Sequence, residues 1–256
     1  MSGRLASAVR NNLVFLGAPG CAQYRVSKFP VAQPNPNPLR TAFISTRVGK
    51  GTFANKIAPL LGIPAISTGD IIRGEIKAGS ALGKQCKAFT DSGKLVPDEV
   101  VSAMVRARLA QPDAQKGWIL DGYPRTVQQA KDLDAAQTVG RVVNITLPEE
   151  VLITKLLGRR VCGDCGKNYN LAAIHTGDLD MPPLLPKPSD CDRCKGSPRL
   201  ETRADDTDAV VRDRMVVYAK QTSPLIEFYA KQGKLQDFAV KKGIADLPRL
   251  KSELGM

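Results

Sequence analysis

Short, wholly apolar runs alternate along this chain with segments whose apolar residues recur at helical spacing. The runs and the helical patterns that follow them lie at residues 12–17 and 53–61, 117–121 and 126–133, and 141–147 and 149–157. A continuous apolar run of this length is typical of a parallel strand, because helices cover both faces of a parallel sheet. The alternation therefore predicts an α/β fold, with a parallel sheet flanked by helices.

The composition favours a partner that carries negative charge. Lysine and arginine number 37 against 25 aspartates and glutamates, so the 256-residue chain has a net charge of +12. Such a balance does not distinguish a nucleotide from a nucleic acid or a lipid. With His175 as the one histidine, hydrolases built on a histidine triad are disfavoured, whereas phosphate chemistry by positioned cations fits. All apolar runs fall far short of the roughly 20 residues of a membrane span.

Two segments interrupt the alternation. Residues 67–97 are polar and rich in glycine, which indicates a mobile helical flap, and residues 159–203 hold cysteines and prolines but too few apolar residues for a core of their own. We expect the core domain to comprise the remaining ranges, 1–66, 98–158 and 204–256. After the second interruption the pattern predicts a long helix, a last strand and a closing helix, at residues 205–230, 234–239 and 245–254.

Four of the six cysteines form two CxxC pairs, Cys162 with Cys165 and Cys191 with Cys194. Each pair can present two thiolates to one ion, so the two pairs can close a tetrahedral zinc site. Four thiolates leave no coordination position for a substrate, which makes this zinc structural and not catalytic. Disulfides are the alternative, but the chain shows no secretory signal of the kind that an oxidising compartment requires.

A phosphate-binding motif occurs in two pieces. Gly17-Ala-Pro-Gly20 ends the first apolar run, and Gly49-Lys-Gly-Thr52 opens the first helical pattern. When residues 21–47 are removed in thought, the two pieces join into a loop whose backbone amides surround phosphate oxygens. The helix N-terminus would attract the phosphate and Lys50 would reach its outer oxygens. Gly51 stands where the general pattern has serine or threonine, and Thr52 follows it.

The intervening 27 residues carry four prolines, four basic residues and no acidic residue. If Gly20 and Val48 stay adjacent, the two pieces still bind phosphate, because the cost of closing a loop grows slowly with its length. If they separate, most amide donors are lost, each worth about 3 kcal/mol in a transition state. A third interpretation is that the segment is a retained intron, absent from the mature protein. A peptide spanning Lys28 to Arg40, found by mass spectrometry of the natural protein, would exclude it.

Six motifs follow one another in a fixed order between Gly17 and Asp206. They are GAPG with GKGT, Ser67-Thr-Gly-Asp70, Gly93-Lys-Leu-Val96, Leu120-Asp-Gly-Tyr-Pro-Arg125, Gly158-Arg-Arg160 and Thr202-Arg-Ala-Asp-Asp206. In this order they resemble the adenylate kinases, over essentially the whole chain except residues 1–11 and 21–47. The C-terminal region resembles the long-lid form, of the organellar kind of plants and algae.

The resemblance implies a P-loop NTPase-like parallel sheet with a helical AMP-binding insertion at 67–97 and a zinc-type lid at 159–203. It also implies the reversible reaction ATP + AMP = 2 ADP, with Mg²⁺ bound alongside ATP. Positioned cations would carry the catalysis without a general base. The implied partners are AMP and ATP, with no nucleic acid or membrane, and the family is generally monomeric.

Residue roles follow from the motif positions. The implied catalytic residues are Lys50, Asp121, Arg125, Arg159, Arg203 and Arg214. The implied ATP-binding residues are Gly17, Gly20, Gly49, Lys50, Gly51, Thr52, Arg159 and Tyr169. The implied AMP-binding residues are Thr68, Arg73, Lys94, Val96, Gly122, Arg125, Gln129, Arg203 and Arg214, and Gln129 would read the adenine edge. Asp70 and Asp121 would orient Mg²⁺ through its water ligands.

Several interpretations remain beside this one. Lys155 stands where long-lid relatives commonly have arginine, which predicts weaker adenine binding. Asp205 and Asp206 are expected as the first residues of the helix that follows them. A kinase fold disabled by the interrupted loop would bind nucleotide or AMP without turnover, and a zinc protein that binds nucleic acid would show steep salt dependence. The compartment is left open between the cytoplasm and an organelle, either mitochondrion or plastid.

Overall fold

A computed structural model describes residues 11–16, 44–45, 50–91, 94–188, 193–195, 197–203 and 205–256. For residues 11–16, 44–45 and Lys50 it describes the backbone alone. Four predicted site residues, Gly17, Gly20, Gly49 and Cys191, therefore lie outside the described residues. Within the described ranges, no helix has the length and apolar character that crossing a bilayer requires.

A parallel sheet forms the centre of the fold. Its strands are β1 (Asn11–Leu16), β2 (Ile44–Ser45), β3 (Ala65–Ser67), β4 (Gly117–Asp121), β5 (Arg141–Thr146) and β11 (Leu235–Ala239). The order across the sheet is β11-β5-β1-β4-β3, with every neighbouring pair parallel. The central residues of β4 and β5 are at most 3% exposed, as expected of strands covered on both faces. The predicted α/β class with a parallel sheet is confirmed.

The chain leaves and re-enters this sheet at the same level of β5. Leu16, the last residue of β1, aligns with Asn144, and Ile44, the first residue of β2, also aligns with Asn144. Ser45 then aligns with Ile145, one residue further along. Ile44 and Ser45, which belong to the 27-residue insertion, thus pair with the second half of β5, at the level where β1 ends.

Helices fill the connections between the strands. They are α1 (Lys50–Leu61), α2 (Thr68–Ala78), α3 (Ala81–Asp91), α4 (Asp98–Leu109), α5 (Val127–Ala136), α6 (Glu149–Leu157), α7 (Asp208–Val217), α8 (Pro224–Lys231) and α9 (Leu247–Glu253). Side-chain oxygens of Ser67, Thr126 and Thr207 accept hydrogen bonds from backbone amides of the first turns of α2, α5 and α7. These caps define where the three helices begin, since each satisfies an amide that has no partner within the helix.

The long helix expected over 205–230 is interrupted. It begins only at Asp208, and a π-helical turn at Tyr218–Thr222 separates α7 from α8. Pro224 supplies a physical reason, because proline donates no hydrogen bond and its ring collides with the carbonyl four residues earlier. A wider π turn before the proline accommodates this conflict.

Short antiparallel strands make up the segment that follows α6. A three-stranded sheet has the order β10-β6-β7, formed by β6 (Arg159–Cys162), β7 (Asn168–Asn170) and β10 (Leu200–Glu201). A hairpin of β8 (Ile174–Thr176) and β9 (Leu179–Met181) lies between β7 and β10 in the chain. Cys162, Tyr169 and Cys194 form a small buried cluster within this segment.

Candidate functional site

A cavity opens at the carboxyl ends of β3 and β4, where α1 and α2 begin. Its walls come from the first turns of α1 and α2, the loop after β4, the end of α6 and the strands β6 and β7. Parallel α/β folds bind ligands at this edge of the sheet, because helix N-termini and the loops after the strands converge there. Ten of the residues given a site role from the sequence line the cavity: Gly51, Thr52, Asp70, Arg73, Asp121, Arg125, Arg159, Tyr169, Arg203 and Arg214.

The N-terminus of α1 faces the carboxylate at the end of β4. A Cβ on Gly51 would lie 3.4 Å from an Asp121 carboxylate oxygen, so α1 starts within contact distance of that side chain. The backbone amides of a first helical turn carry partial positive charge. This arrangement can hold an anion on the amides and a cation on the carboxylate.

Arginines from β6 and α7 meet at one buried carboxylate. The Arg159 guanidinium donates to both carboxylate oxygens of Asp206, with Nε at 2.7 Å from Oδ2. Arg214 Nη1 lies 3.6 Å from Asp206 Oδ1 and donates to the Asp205 side chain at 2.6 Å. The Asp206 side chain has no exposed surface. Two arginines that approach the cavity from different elements are therefore fixed by the same acidic pair.

Arg203 adds a further positive charge beside them. Burial and the neighbouring charges of Arg159 and Arg73 lower the pKa of Arg203 to about 10, and burial lowers the pKa of Arg214 to about 10. Both arginines remain charged at neutral pH. Because like charges held together in a partly dry cavity repel one another, the cluster favours a polyanionic ligand.

The loop after β4 holds Arg125 through its backbone. The Arg125 amide donates to Gln129 Oε1 at 2.7 Å, and the Arg125 carbonyl accepts from Thr222 Oγ1 at 2.8 Å. Its Nε donates to the Gly122 carbonyl at 2.8 Å. Gly122 has φ of +82°, and a Cβ there would lie 2.9 Å from Thr68 Oγ1, so only glycine fits. Arg125 is thereby directed into the cavity on a constrained loop.

Some predicted residues lie outside the cavity wall. Gln129 is 2% exposed and its Nε2 donates to Asp98 Oδ1 at 2.7 Å. Thr68 is buried and donates to the Gly122 carbonyl at 2.9 Å. Lys94 is exposed and Val96 is buried, and neither lines the cavity. Both polar atoms of the Gln129 side chain are therefore hydrogen-bonded within the protein, Nε2 to Asp98 and Oε1 to the Arg125 amide.

Lys155 of α6 and Tyr169 of β7 both line the cavity. Lys155 is 6% exposed, and its ammonium donates to the carbonyls of Ala172 at 2.7 Å and Met181 at 3.2 Å. Burial lowers the pKa of Lys155. Tyr169 is 3% exposed and contributes to the same wall. The cation expected beside the ATP base thus also ties α6 to the β8–β9 hairpin.

Three of the four predicted zinc ligands lie together. The sulfurs of Cys162, Cys165 and Cys194 are all within 4.8 Å of one another, and Cys162 and Cys194 approach to 3.2 Å. Three convergent thiols fit a thiolate-bound metal, and Cys191, three residues before Cys194, would supply the fourth. His175 is exposed and pairs with Asp180 instead.

Sequence reasoning missed four residues that contribute to the site. Asp205 and Asp206 were expected in the first turn of a helix; they precede its cap Thr207 and bind arginines instead. Asn168 accepts a hydrogen bond from Arg203, and Thr222 contacts Arg125 across 97 residues of sequence. The two acids that follow Arg203 in the motif Thr202 to Asp206 could have indicated a pairing with arginines. No sequence pattern indicated the role of Thr222.

Comparison with known proteins agrees with this geometry. The family model "Adenylate kinase" matches residues 45–234. The probable adenylate kinase 6, chloroplastic, of Arabidopsis thaliana is 45% identical over 207 residues, covering 78% of this chain and 68% of the relative. The adenylate kinase of Geobacillus sp. (strain WCH70) is 43% identical, covering 79% and 93%. That of Archaeoglobus fulgidus is 39% identical over 238 residues, covering 91% and 92%. From the match over most of its length, the chain belongs to the adenylate kinase family.

Proposed function

We propose that the protein catalyses reversible phosphoryl transfer between ATP and AMP to give two ADP. The observation that carries the proposal is the convergence of Arg73, Arg125, Arg159, Arg203 and Arg214 with Asp121 on one cavity at the start of α1. Such a cluster suits a reaction in which two phosphate chains and a transferring phosphoryl group must share one site. Its chemistry depends on positioning and charge neutralisation, which these side chains supply.

The triphosphate is assigned to the α1 side of the cavity. Amides at Gly51 and Thr52 and the ammonium of Lys50 would bind its outer phosphates, together with the glycines of the split loop. Mg²⁺, a hard cation that retains water ligands, would be held through Asp121 and Asp70 and would neutralise phosphate charge. Asp121 fits this role because it lines the cavity beside α1. Tyr169 and Lys155 would lie beside the base.

The monophosphate is assigned to the α2 side. Arg73 and Arg125 would bind its phosphate, with Thr68, Gly122, Lys94 and Val96 framing the nucleotide in a flap of residues 67–97. In the described structure Arg73 pairs with the exposed carboxylate of Asp70. A phosphate dianion would compete for Arg73, because exposed ion pairs of this kind contribute little free energy.

Arg159, Arg203 and Arg214 would stabilise the charge of the transferring group. Asp205 and Asp206 hold two of these guanidinium groups before substrate arrives, which lowers the cost of ordering them. Closure of a lid at residues 159–203 would bring them over the phosphates and exclude water, so that the phosphoryl group reaches AMP and not hydroxide. A structural zinc bound by Cys162, Cys165, Cys191 and Cys194 would hold the lid, where the buried cluster is too small to do so.

A coupled assay for ADP formation, with AMP binding measured by calorimetry, tests the proposal. We expect turnover that requires ATP, AMP and Mg²⁺ together. Arg125→Lys keeps the charge but loses bidentate binding, and is expected to lower kcat/KM for AMP at least tenfold. Arg212→Lys is the matched control, because Arg212 is exposed and pairs with Asp208. AMP binding without any turnover would favour a catalytically impaired nucleotide binder.

A further inference from the structure

Thr222 is a buried residue far from the motifs, yet it contacts the loop that carries Arg125. Thr222 is only 5% exposed, and its hydroxyl donates a hydrogen bond to the Arg125 carbonyl at 2.8 Å. Arg125 is bound at its amide by Gln129 and at its carbonyl by Thr222. Both backbone groups of one arginine are thus fixed by side chains from other parts of the chain.

The π-helical turn explains why Thr222 points inward. An i→i+5 turn holds one residue more than an α-helical turn, which shifts the following side chains by about 100° around the axis. Thr222 ends this turn, and its neighbour Ser223 is partly exposed and donates to the Ala219 carbonyl at 2.8 Å. A local irregularity of the helix therefore directs one hydroxyl to the Arg125 loop and the next one to the helix itself.

The same helical unit carries a second arginine of the cavity. Arg214 lies on α7, the helix that immediately precedes the π turn. Both Arg214 and Arg125 line the cavity. Thr222, at the end of the π turn, therefore connects α7 and the π turn, which include Arg214, to the loop that carries Arg125. A displacement of one relative to the other would change the spacing of two phosphate-binding guanidinium groups.

We propose that Thr222 is a positioning residue for Arg125, which sets the placement of the Arg125 guanidinium for the monophosphate. This inference rests on the proposed function. Removing the hydroxyl leaves the partly buried Arg125 carbonyl without this partner and frees one end of the loop. Because phosphate binding by a guanidinium depends on its orientation, a small rotation of this loop weakens AMP binding more than ATP binding.

Steady-state kinetics of three variants, with direct AMP binding by calorimetry, test the inference. Thr222→Val keeps the shape and removes the hydroxyl, and we expect about a tenfold rise in KM and Kd for AMP, with KM for ATP changed less than about twofold. Thr222→Ser keeps the hydroxyl and is expected to restore AMP binding to within about threefold of the wild type. Ser223→Ala, one residue further, is the matched control and should leave both constants unchanged.

A purely structural role predicts a different result. Thr222→Val would then lower the melting temperature while the Kd for AMP stays at the wild-type value, and this outcome overturns the inference. An equal rise in the constants for ATP and AMP also overturns it. Thr222→Ala, which adds no methyl group against the carbonyl, takes the place of the valine variant if that variant does not fold. Absence of ADP formation by the wild type would instead contradict the proposed function, while the AMP-binding comparison still tests Thr222.

Discussion

Asp206 shows how a single carboxylate can organise a cluster of positive charge. Its side chain is completely buried and lies within 4.0 Å of both Arg159 and Arg214. A buried ion pair adds little net stability when it is intact, because desolvation offsets the attraction. Removing one partner is costly, since the remaining charge is left buried without compensation. The role of Asp206 is thus to determine where the two arginines lie before substrate binds.

The variant Asp206→Asn is expected to lower the free energy of unfolding by about 3 kcal/mol. Sulfate should recover part of this loss and should stabilise the variant more than the wild type, because an added anion can replace the missing carboxylate. Chemical denaturation with and without sulfate measures both effects. Asp208→Asn, whose exposed side chain pairs with Arg212, should change stability by less than about 0.5 kcal/mol. Equal effects of the two variants would contradict the assignment.

Buried tyrosines give a second prediction. The hydroxyl of Tyr229 has no hydrogen-bond partner within the described part of the chain, whereas that of Tyr123 lies 2.9 Å from Ser102 Oγ. Tyr229→Phe removes a desolvated polar group and should stabilise the fold by about 1 kcal/mol. Tyr123→Phe breaks a buried hydrogen bond and should destabilise it by a similar amount. Thermal and urea unfolding at pH 7 compare the two, and loss of stability in Tyr229→Phe would refute the first.

Tyr229 also predicts how the stability of the fold changes at alkaline pH. Burial, with the nearby charge of Asp134, raises the pKa of Tyr229 above its ordinary value of 10. Above pH 10 the unfolded chain releases a proton that the folded chain retains, so this residue contributes a loss of stability as the pH rises. Replacement by phenylalanine removes that contribution. The unfolding free energy of Tyr229→Phe should therefore fall less steeply than that of the wild type between pH 9 and pH 11.

Among the secondary-structure elements, the sequence predicted the strands better than the last helices. The runs at 117–121 and 141–147 stand out because they are mostly apolar, and they form β4 and β5 almost residue for residue. The helix expected over 205–230 has an amphipathic pattern that a π turn does not abolish. Its interruption depends on Pro224 and on the burial of Thr222, which is a tertiary contact. Long-range contacts of this kind leave no periodic signal in the sequence.

The three clustered cysteines after α6 lead to a prediction about metal. We expect one zinc per chain, lost when a chelator is added, together with a lower melting temperature. Cys165→Ser should weaken zinc binding more than about 100-fold, since loss of an outer-sphere partner alone costs 10- to 100-fold. Cys86→Ala, which alters a cysteine buried in the core cluster, should keep full zinc content. Atomic emission after dialysis measures the stoichiometry, and a wild-type protein without zinc that is insensitive to chelator would contradict the prediction.

For the molecule as a whole, the question is how a phosphate-binding loop interrupted by residues 21–47 can bind ATP at a cavity whose other residues are in place. The motifs after residue 50 named five arginines and Asp121 that line the cavity, because each lies at a fixed offset from a strand or helix end. They could not predict that Leu16 and Ile44 align with the same residue of β5. That alignment places Ile44, near the end of the insertion, at the same level of β5 as the end of β1.

Deletion of residues 21–47 joins Gly20 to Val48 and restores a continuous run of amides. We expect KM for ATP to fall at least about threefold, because a continuous loop no longer has to be ordered on binding. KM for AMP should stay the same, since the residues assigned to AMP lie in α2 and in the segments that follow α3. The coupled ADP assay, run on both proteins with each substrate varied in turn, gives the two constants.

A second variant tests whether the break in the phosphate-binding loop, or the particular amino acids of the insertion, weakens ATP binding. Replacing residues 22–46 with a glycine and serine linker of equal length keeps the interruption, so we expect it to behave like the full chain and not like the deletion. If the linker variant instead matches the deletion, the amino acids of the insertion, and not the break in the loop, weaken ATP binding.

The deletion has an outcome that contradicts the interpretation. If it abolishes turnover, Ile44 and Ser45 supply a strand that Gly17 to Gly20 cannot replace. The split-loop interpretation would then be wrong, because the loop would have to be formed by the residues that follow β2.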